Sequence, residues 1–345
     1  MHRDVLIVGF GLAGWALTEA LTKEGKSFVV FDPFVESSSR IATGIYNPVV
    51  LKRFRAIYHV DELMAHSVPF YKHPKYASAL NPMPIWRVFA SESEQNDWAV
   101  ASDNSTLRTY LGASVSHLKN DNILAPSGMG EVLHTGWVNT SLLLHQAHKH
   151  LLQKQAFVSE LFSYKDLIIT SKGVEYGQWK ATHIIFAEGV GIRKNPWFSN
   201  LPVVPNKGEW LIVKCPGLHL KYMLKGSVFI VPLGGDRYRV GATYAHSFSS
   251  LTPTNESKGW LMECFKKYIA LPFEVESHGT GVRPTVPDRK PLVGKHPKYP
   301  ALNCVNGLGS RGILWAPFLA SSLINCLFNK QDIPVEVDLT RYFKV

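Results

Sequence analysis

Three glycines spaced Gly9-x-Gly11-x-x-Gly14 follow an apolar run, Val5-Leu6-Ile7-Val8, and open a helix-like stretch. An acid, Asp32, closes a second apolar run, Phe28-Val29-Val30-Phe31. Residues of these types at this spacing are suited to binding phosphate. Gly9 permits a tight turn, Gly11 lets a pyrophosphate approach the backbone, and Gly14 lets helix and strand pack closely. The helix start at Leu12 and Ala13 offers unpaired N–H groups and a partial positive charge to an anion. Asp32 can accept hydrogen bonds from a ribose. With strand, helix, second strand and acid all present, residues 5–32 read as a βαβ dinucleotide-binding unit rather than as an ordinary glycine-rich turn.

A second triplet, Gly307-Leu308-Gly309-Ser310-Arg311-Gly312, has the same spacing and also lies between a strand-like and a helix-like segment. Too little chain follows to complete another βαβ unit with its ribose-binding acid, so a second dinucleotide site is rejected. The turn reads instead as a helix N-terminus aimed at the chemistry. Arg311 in a first helical turn opposes the helix dipole, which makes sense if an anion sits there. The plain alternative is an arginine reaching away to a surface acid.

The elements that must hold these residues follow from pattern. Residues 61–72 look helical, 82–136 look irregular with a strand-like Ile85–Phe89, and Ser141–Gln155 is a strong helical stretch. Short strands are expected at Ala156–Phe162, Asp166–Thr170, Gly173–Tyr176 and His183–Phe186. Block 204–278 reads as antiparallel sheet with one helix near 257–270, its strands at Trp210–Val213, Val228–Val231 and Tyr238–Thr243. Gly279–Gly294 is a Pro- and Gly-rich stretch. A strand, Ala301–Val305, and a long apolar helix, Ile313–Phe328, close the chain. Composition alternates between α/β and β-rich material, which implies two interleaved domains with linkers near 73–82, 136, 204 and 278.

The chain of 345 residues is 46% hydrophobic and 19% charged, enough for an ample core. The apolar start is interrupted by glycines, preceded by Asp4 and followed by no cleavage pattern, so it does not read as a leader. No apolar run approaches the roughly 20 residues of a membrane span, and a cytoplasmic setting is expected. Four widely spaced cysteines (Cys215, Cys264, Cys304, Cys326) read as buried free thiols, and the scattered histidines show no metal-ligand spacing. A formal charge of +10 reads first as a solvated basic surface and second as a field drawing in anionic ligands. The densest basic cluster, Lys52-Arg53-Phe54-Arg55, is too short to argue for nucleic acid.

Taken together, these motifs resemble the D-amino acid oxidase (DAO) family of FAD-dependent oxidoreductases, in particular its glycine oxidase and sarcosine oxidase branch. The resemblance spans the full length as spaced motifs: Gly9–Gly14 with Asp32; Ser38-Ser39 through Arg40, Ala42-Thr43-Gly44; Ala187-Glu188-Gly189; Pro205-Asn206-Lys207-Gly208-Glu209; Gly281-Val282-Arg283-Pro284 with Asp288, Pro291 and Gly294; and Gly307–Leu314 with Ala316-Pro317. Thr43, Glu188 and Glu209 depart from the family's usual glycine, small residue and glutamine. The resemblance implies an α/β, Rossmann-like FAD-binding domain (1–72, 137–203 and 279–345) interleaved with an antiparallel β-sheet substrate domain of α+β type (73–136 and 204–278). It implies FAD contacts from Gly9, Gly11, Leu12, Ala13, Gly14, Asp32, Ser39, Arg40, Ala42, Thr43, Gly44, Ala187, Glu188, Gly189, Gly309, Ser310, Arg311, Gly312 and Ile313. The flavin is expected to be non-covalent, because no cysteine lies in the Gly281–Arg283 block.

The chemistry so implied is oxidation of a C–N bond in a small amino or imino acid by hydride transfer to flavin N5, with O2 as the expected acceptor. Carboxylate recognition favours arginine's planar fork. Arg283 is the first candidate by family match and Arg311 the second; the alternative for Arg283 is a salt bridge to Asp288. Tyr244 is a candidate pocket hydroxyl. Trp86 and Trp210 are candidate pocket walls that read first as core, and Lys207 and Lys225 are candidates to assist oxygen activation that read first as solvated lysines. A tRNA-modification oxidase of the methylaminomethyl-uridine type, a 2-hydroxy-acid dehydrogenase and a non-catalytic flavoprotein remain alternatives.

Overall fold

The computed structural model describes residues 1–116 and 122–343. Along the chain run β1 (His2–Val8), α1 (Leu12–Lys23), β2 (Phe28–Phe31), α2 (Val60–Lys72), β3 (Trp179–Phe186), β4 (Val204–Lys214), β5 (Arg237–Gly241), β6 (Glu274–Thr285), β7 (Leu302–Asn306) and α3 (Gly312–Phe328), with shorter strands and helices between them.

β1 is apolar on both faces because both faces are covered: Val5, Leu6 and Ile7 are fully buried. It pairs in parallel with β2 on one side and β3 on the other. The 8-stranded first sheet continues through Phe157–Val158 beside β2, while β3 pairs in parallel with β7 and antiparallel with Gly173–Tyr176. The turn from β1 into α1 depends on its glycines. Gly9 holds φ at +97°, and a Cβ on Gly14 would collide with the Gly9 carbonyl oxygen. α3 packs against α1 and α2. It is apolar almost all round because it is buried almost all round, from Ile313 to Ile324.

The second sheet is also 8-stranded, in the order β6, β4, β5, Phe229–Gly234, Met223–Lys225, Ile85–Val88, Met129–Val132, Leu111–Ser116. Every pair is antiparallel except one. Met223–Lys225 runs parallel to Ile85–Val88, and this join stitches the 73–136 segment to the 204–278 segment. A small antiparallel sheet is formed by Ile45–Tyr46, Gly136–Val138 and Leu80–Pro82.

Three expectations change. The irregular region 82–136 contains a helix, Glu92–Asp103, whose N-cap Ser91 accepts from the Glu94 N–H and whose Trp98 is fully buried. The Pro- and Gly-rich stretch after 278 is not a loop. β6 pairs with β4 from Glu274 to Thr285, so a boundary at 278 falls in mid-strand. The second sheet, expected to be antiparallel, carries the one parallel pair. The helix expected near 257–270 is observed at Asn255–Lys266.

Candidate active site

A cavity of about 760 Å³ opens where the two sheets meet. One end is formed by the β1–α1 turn (Gly9, Gly11, Leu12, Ala13) with Asp32, the loop Ser37–Ser39 and Ile41–Ile45, and the turn Ala187–Gly189; the turn Gly309–Ile313 joins β6, its Gly309 N–H donating to the Pro284 carbonyl at 2.9 Å. The other end is the face of the second sheet, with Gly208, Trp210, Lys225, Arg239, Tyr244 and Arg283.

At the nucleotide end, Asp32 accepts from the Phe10 N–H (2.8 Å) and the Phe34 N–H (2.7 Å). Arg40 does not line the cavity. It stands behind Asp32, 3.3 Å from its Oδ1, donates to the Phe10 carbonyl (3.3 Å), and stacks under the Phe34 ring at 3.8 Å. In this position it holds the Asp32 carboxylate in place. Gly14 is likewise behind the lining, packed on Gly9. Ser39 Oγ accepts from the Leu12 N–H at 3.0 Å, which ties the serine-rich loop to the start of α1. Ser37 Oγ is buried and has no hydrogen-bond partner. Glu188 lines the cavity, and its carboxylate accepts from the Tyr164 hydroxyl (2.5 Å) and the Asn195 amide (2.9 Å). Burial pushes the Glu188 pKa up, and those two donors only partly offset it. A glycine-walled turn, a helix N-terminus, an oriented ribose-binding acid and an unpartnered serine hydroxyl fit an adenine dinucleotide.

At the sheet end, cross-strand partners share a face. Arg283 lies opposite Asn206 and Arg239 opposite Ile212, so both stand on the face shown by Gly208 and Trp210. Arg283 donates to Asn206 Oδ1 at 3.0 Å and to the Thr243 carbonyl at 3.4 Å, and its guanidinium lies 4.5 Å from the centre of the Tyr244 ring. It has no contact with Asp288, which pairs with Arg341 at 3.2 Å. Arg239 stacks on Trp210 at 4.0 Å and donates to the Ile41 carbonyl. Burial, then the charge of Arg283, lowers its pKa to about 10. Arg311 caps α3, and its guanidinium is held by the carbonyls of Asn47 (2.7 Å) and Val49 (3.4 Å), so backbone oxygens rather than a surface acid receive it. Burial lowers Arg311 to about 10 and Arg283 in the same direction. Among the described residues, none of these three arginines pairs with a carboxylate.

Tyr244 lines the cavity but is 67% exposed, so its ring offers Arg283 a platform more than it offers a buried hydroxyl. Lys225 also lines the cavity, its Nζ donating to the carbonyls of Gly226 (3.0 Å) and Ser227 (3.1 Å). Burial, then the neighbouring Arg87, pulls its pKa down to about 8. Lys207 is not solvated. It is buried on the opposite face of the sheet, paired with Glu209 at 3.0 Å and donating to the Thr252 carbonyl at 2.7 Å. Trp86 packs on Tyr222 rather than lining the cavity. Arg239 was not legible as a site residue, although one signal existed. In Arg237-Tyr238-Arg239-Val240-Gly241 the apolar members Tyr238 and Val240 alternate with Arg239 and Gly241, so the arginine must occupy the face away from the core.

These features define an FAD-dependent oxidoreductase. The family described as "DAO: FAD dependent oxidoreductase" matches residues 4–325, and the chain belongs to it. It is 31% identical to glycine oxidase of Bacillus subtilis over 358 residues, covering 96% of this chain and 94% of that one. It is 31% identical over 151 residues to the tRNA 5-methylaminomethyl-2-thiouridine biosynthesis bifunctional protein of Idiomarina loihiensis, covering 42% of this chain and 24% of that one. The match to glycine oxidase of Pseudomonas aeruginosa covers 44% of that protein. Among solved structures, glycine oxidase from Geobacillus kaustophilus superposes with a TM-score of 0.79 at 19% identity, covering 99% of this chain and all of that one (100%). L-proline dehydrogenase from P. horikoshii gives 0.81 at 15% identity, covering 99% and 98%. FAD is therefore the cofactor, and the nucleotide end described above fits it. No cysteine is among the residues lining the cavity. No helix of the described residues is long and apolar enough to cross a membrane.

Proposed function

We propose that the chain oxidises the C–N bond of a small amino or imino acid, with O2 as the final acceptor. When bound, FAD supplies the two-electron oxidation, taking a hydride from the substrate α-carbon at N5. The observation that carries this reading is Arg283: a guanidinium without a carboxylate partner, laid over Gly208, in a cavity continuous with the dinucleotide-binding turn. A buried unpaired cation is costly unless an anion completes it. Arg283 would take both oxygens of the substrate carboxylate in its fork, and Asn206 and Tyr244 keep that fork in place. The amine nitrogen loses its proton as the hydride leaves, giving an imine that water hydrolyses. Arg311, fixed by two backbone carbonyls, keeps a positive charge at the start of α3 for anionic charge that develops in the cavity.

The test is anaerobic mixing with glycine, sarcosine, D-amino acids, proline and 2-hydroxy acids, following loss of flavin absorbance. Bleaching by amino or imino acids supports the reading; bleaching by hydroxy acids alone replaces it with 2-hydroxy-acid oxidation. A tRNA-modification oxidase is the second reading, favoured by the Idiomarina relative and the charge of +10. It predicts co-purifying RNA and affinity that falls steeply with salt.

A further inference from the structure

The sheet face of the cavity holds two guanidiniums where one carboxylate needs one. Arg283 and Arg239 start far apart: their partners on β4 are Asn206 and Ile212, roughly 20 Å apart at about 3.3 Å per residue. Their side chains lean toward each other. Both Nη atoms of Arg283 lie over Gly208, and the Arg239 guanidinium stacks on Trp210, the next residue of β4 on the same face. Same-face neighbours on a strand stand on the order of 7 Å apart, so the two guanidiniums rest over adjacent same-face positions of β4. Arg239 gives Nη2 to the Ile41 carbonyl, while its buried Nε has no hydrogen-bond partner. Among the described residues no carboxylate pairs with either side chain. Gathering two like charges in a buried place is unfavourable unless anions occupy it. A single carboxylate fills one arginine fork and leaves the other empty.

We propose that the substrate carries two acid groups, an amino or imino dicarboxylate, with the α-carboxylate on Arg283 and the distal carboxylate on Arg239. This rests on the amino-acid reading above and narrows it. Trp210 supports the Arg239 fork as a stacking platform, and the Ile41 carbonyl orients it.

The test uses the FAD-loaded protein and two variants, Arg239→Leu and Arg239→Lys, each first checked for a retained flavin spectrum. Perturbation of that spectrum by succinate and by propionate gives binding without turnover. Anaerobic reduction by aspartate and glutamate of both hands, and by iminodiacetate, is compared with reduction by glycine, sarcosine and alanine. The expected result is tighter binding of succinate than of propionate and faster reduction by the diacids. The succinate-to-propionate affinity ratio should fall about 30-fold or more in Arg239→Leu, with partial recovery in Arg239→Lys. Faster reduction by the monoacids, with an unchanged ratio in Arg239→Leu, overturns the proposal while leaving amino-acid oxidation standing, and assigns Arg239 to anchoring the Ile41 loop. Reduction by no amino or imino acid removes the reading on which the proposal rests, and the proposal with it.

Discussion

Arg283 reaches the cavity because position 208 has no side chain: a Cβ on Gly208 would sit inside the Arg283 guanidinium. Gly208→Ala should therefore weaken binding of a carboxylate ligand at least about 10-fold while FAD stays bound, since a small misplacement of a clamp is expensive; titration of the flavin spectrum reads this directly. Lys225 gives a pH signature. Its pKa is lowered to about 8, so the ammonium is present below that pH and lost above it. Affinity for an anionic ligand should fall as pH rises through about 8, and Lys225→Met should flatten that limb in a pH series of binding constants. Residue type was informative where a motif fixed the context, as at Gly9 and Gly14 of the β1–α1 turn. It misled where burial decided the outcome. Lys207 reads as solvated in sequence, but Glu209 and the Thr252 carbonyl lie across the sheet from the cavity and draw it inside.

At the scale of elements, the β1–α1–β2 unit was legible because its chemistry is local: apolar strand, glycine turn, helix, strand and acid follow within one short stretch. Gly14→Ala would push a Cβ into the Gly9 carbonyl. It should cost about 1–3 kcal/mol as overpacking and release FAD, visible as loss of yellow colour on gel filtration together with a lower melting temperature. β6 was not legible as a strand. Its residues are half-buried along most of the strand rather than alternating, and consecutive residues Thr280, Gly281, Val282 and Arg283 all line the cavity. Without a period of two there is no strand signal to read. The Glu92–Asp103 helix escaped for a related reason. It buries only Trp98 and Ser102, so its apolar stripe is too thin to show.

At the scale of the whole molecule, the cavity is lined by residues of both sheets. Cofactor that binds only the folded state stabilises it by mass action, about 2.7 kcal/mol at a hundredfold excess over Kd. The apoprotein should melt lower than the holoprotein, and added FAD should restore the difference in a thermal scan. The parallel join of Met223–Lys225 to Ile85–Val88 was not legible, since pairing across more than a hundred residues leaves no local trace. The cavity carries a glycine turn and helix start suited to a dinucleotide, and guanidiniums with no carboxylate partner among the described residues. The central claim is that a substrate carboxylate sits between them on Arg283. Anaerobic single-turnover reduction of the FAD-loaded protein and of Arg283→Ala by the same amino acid tests it most directly. The account predicts bleaching in the parent protein, and in the variant a retained flavin that needs roughly 100-fold more substrate, the loss of about 3 kcal/mol of charge-assisted binding. Identical substrate dependence in the two proteins would contradict it.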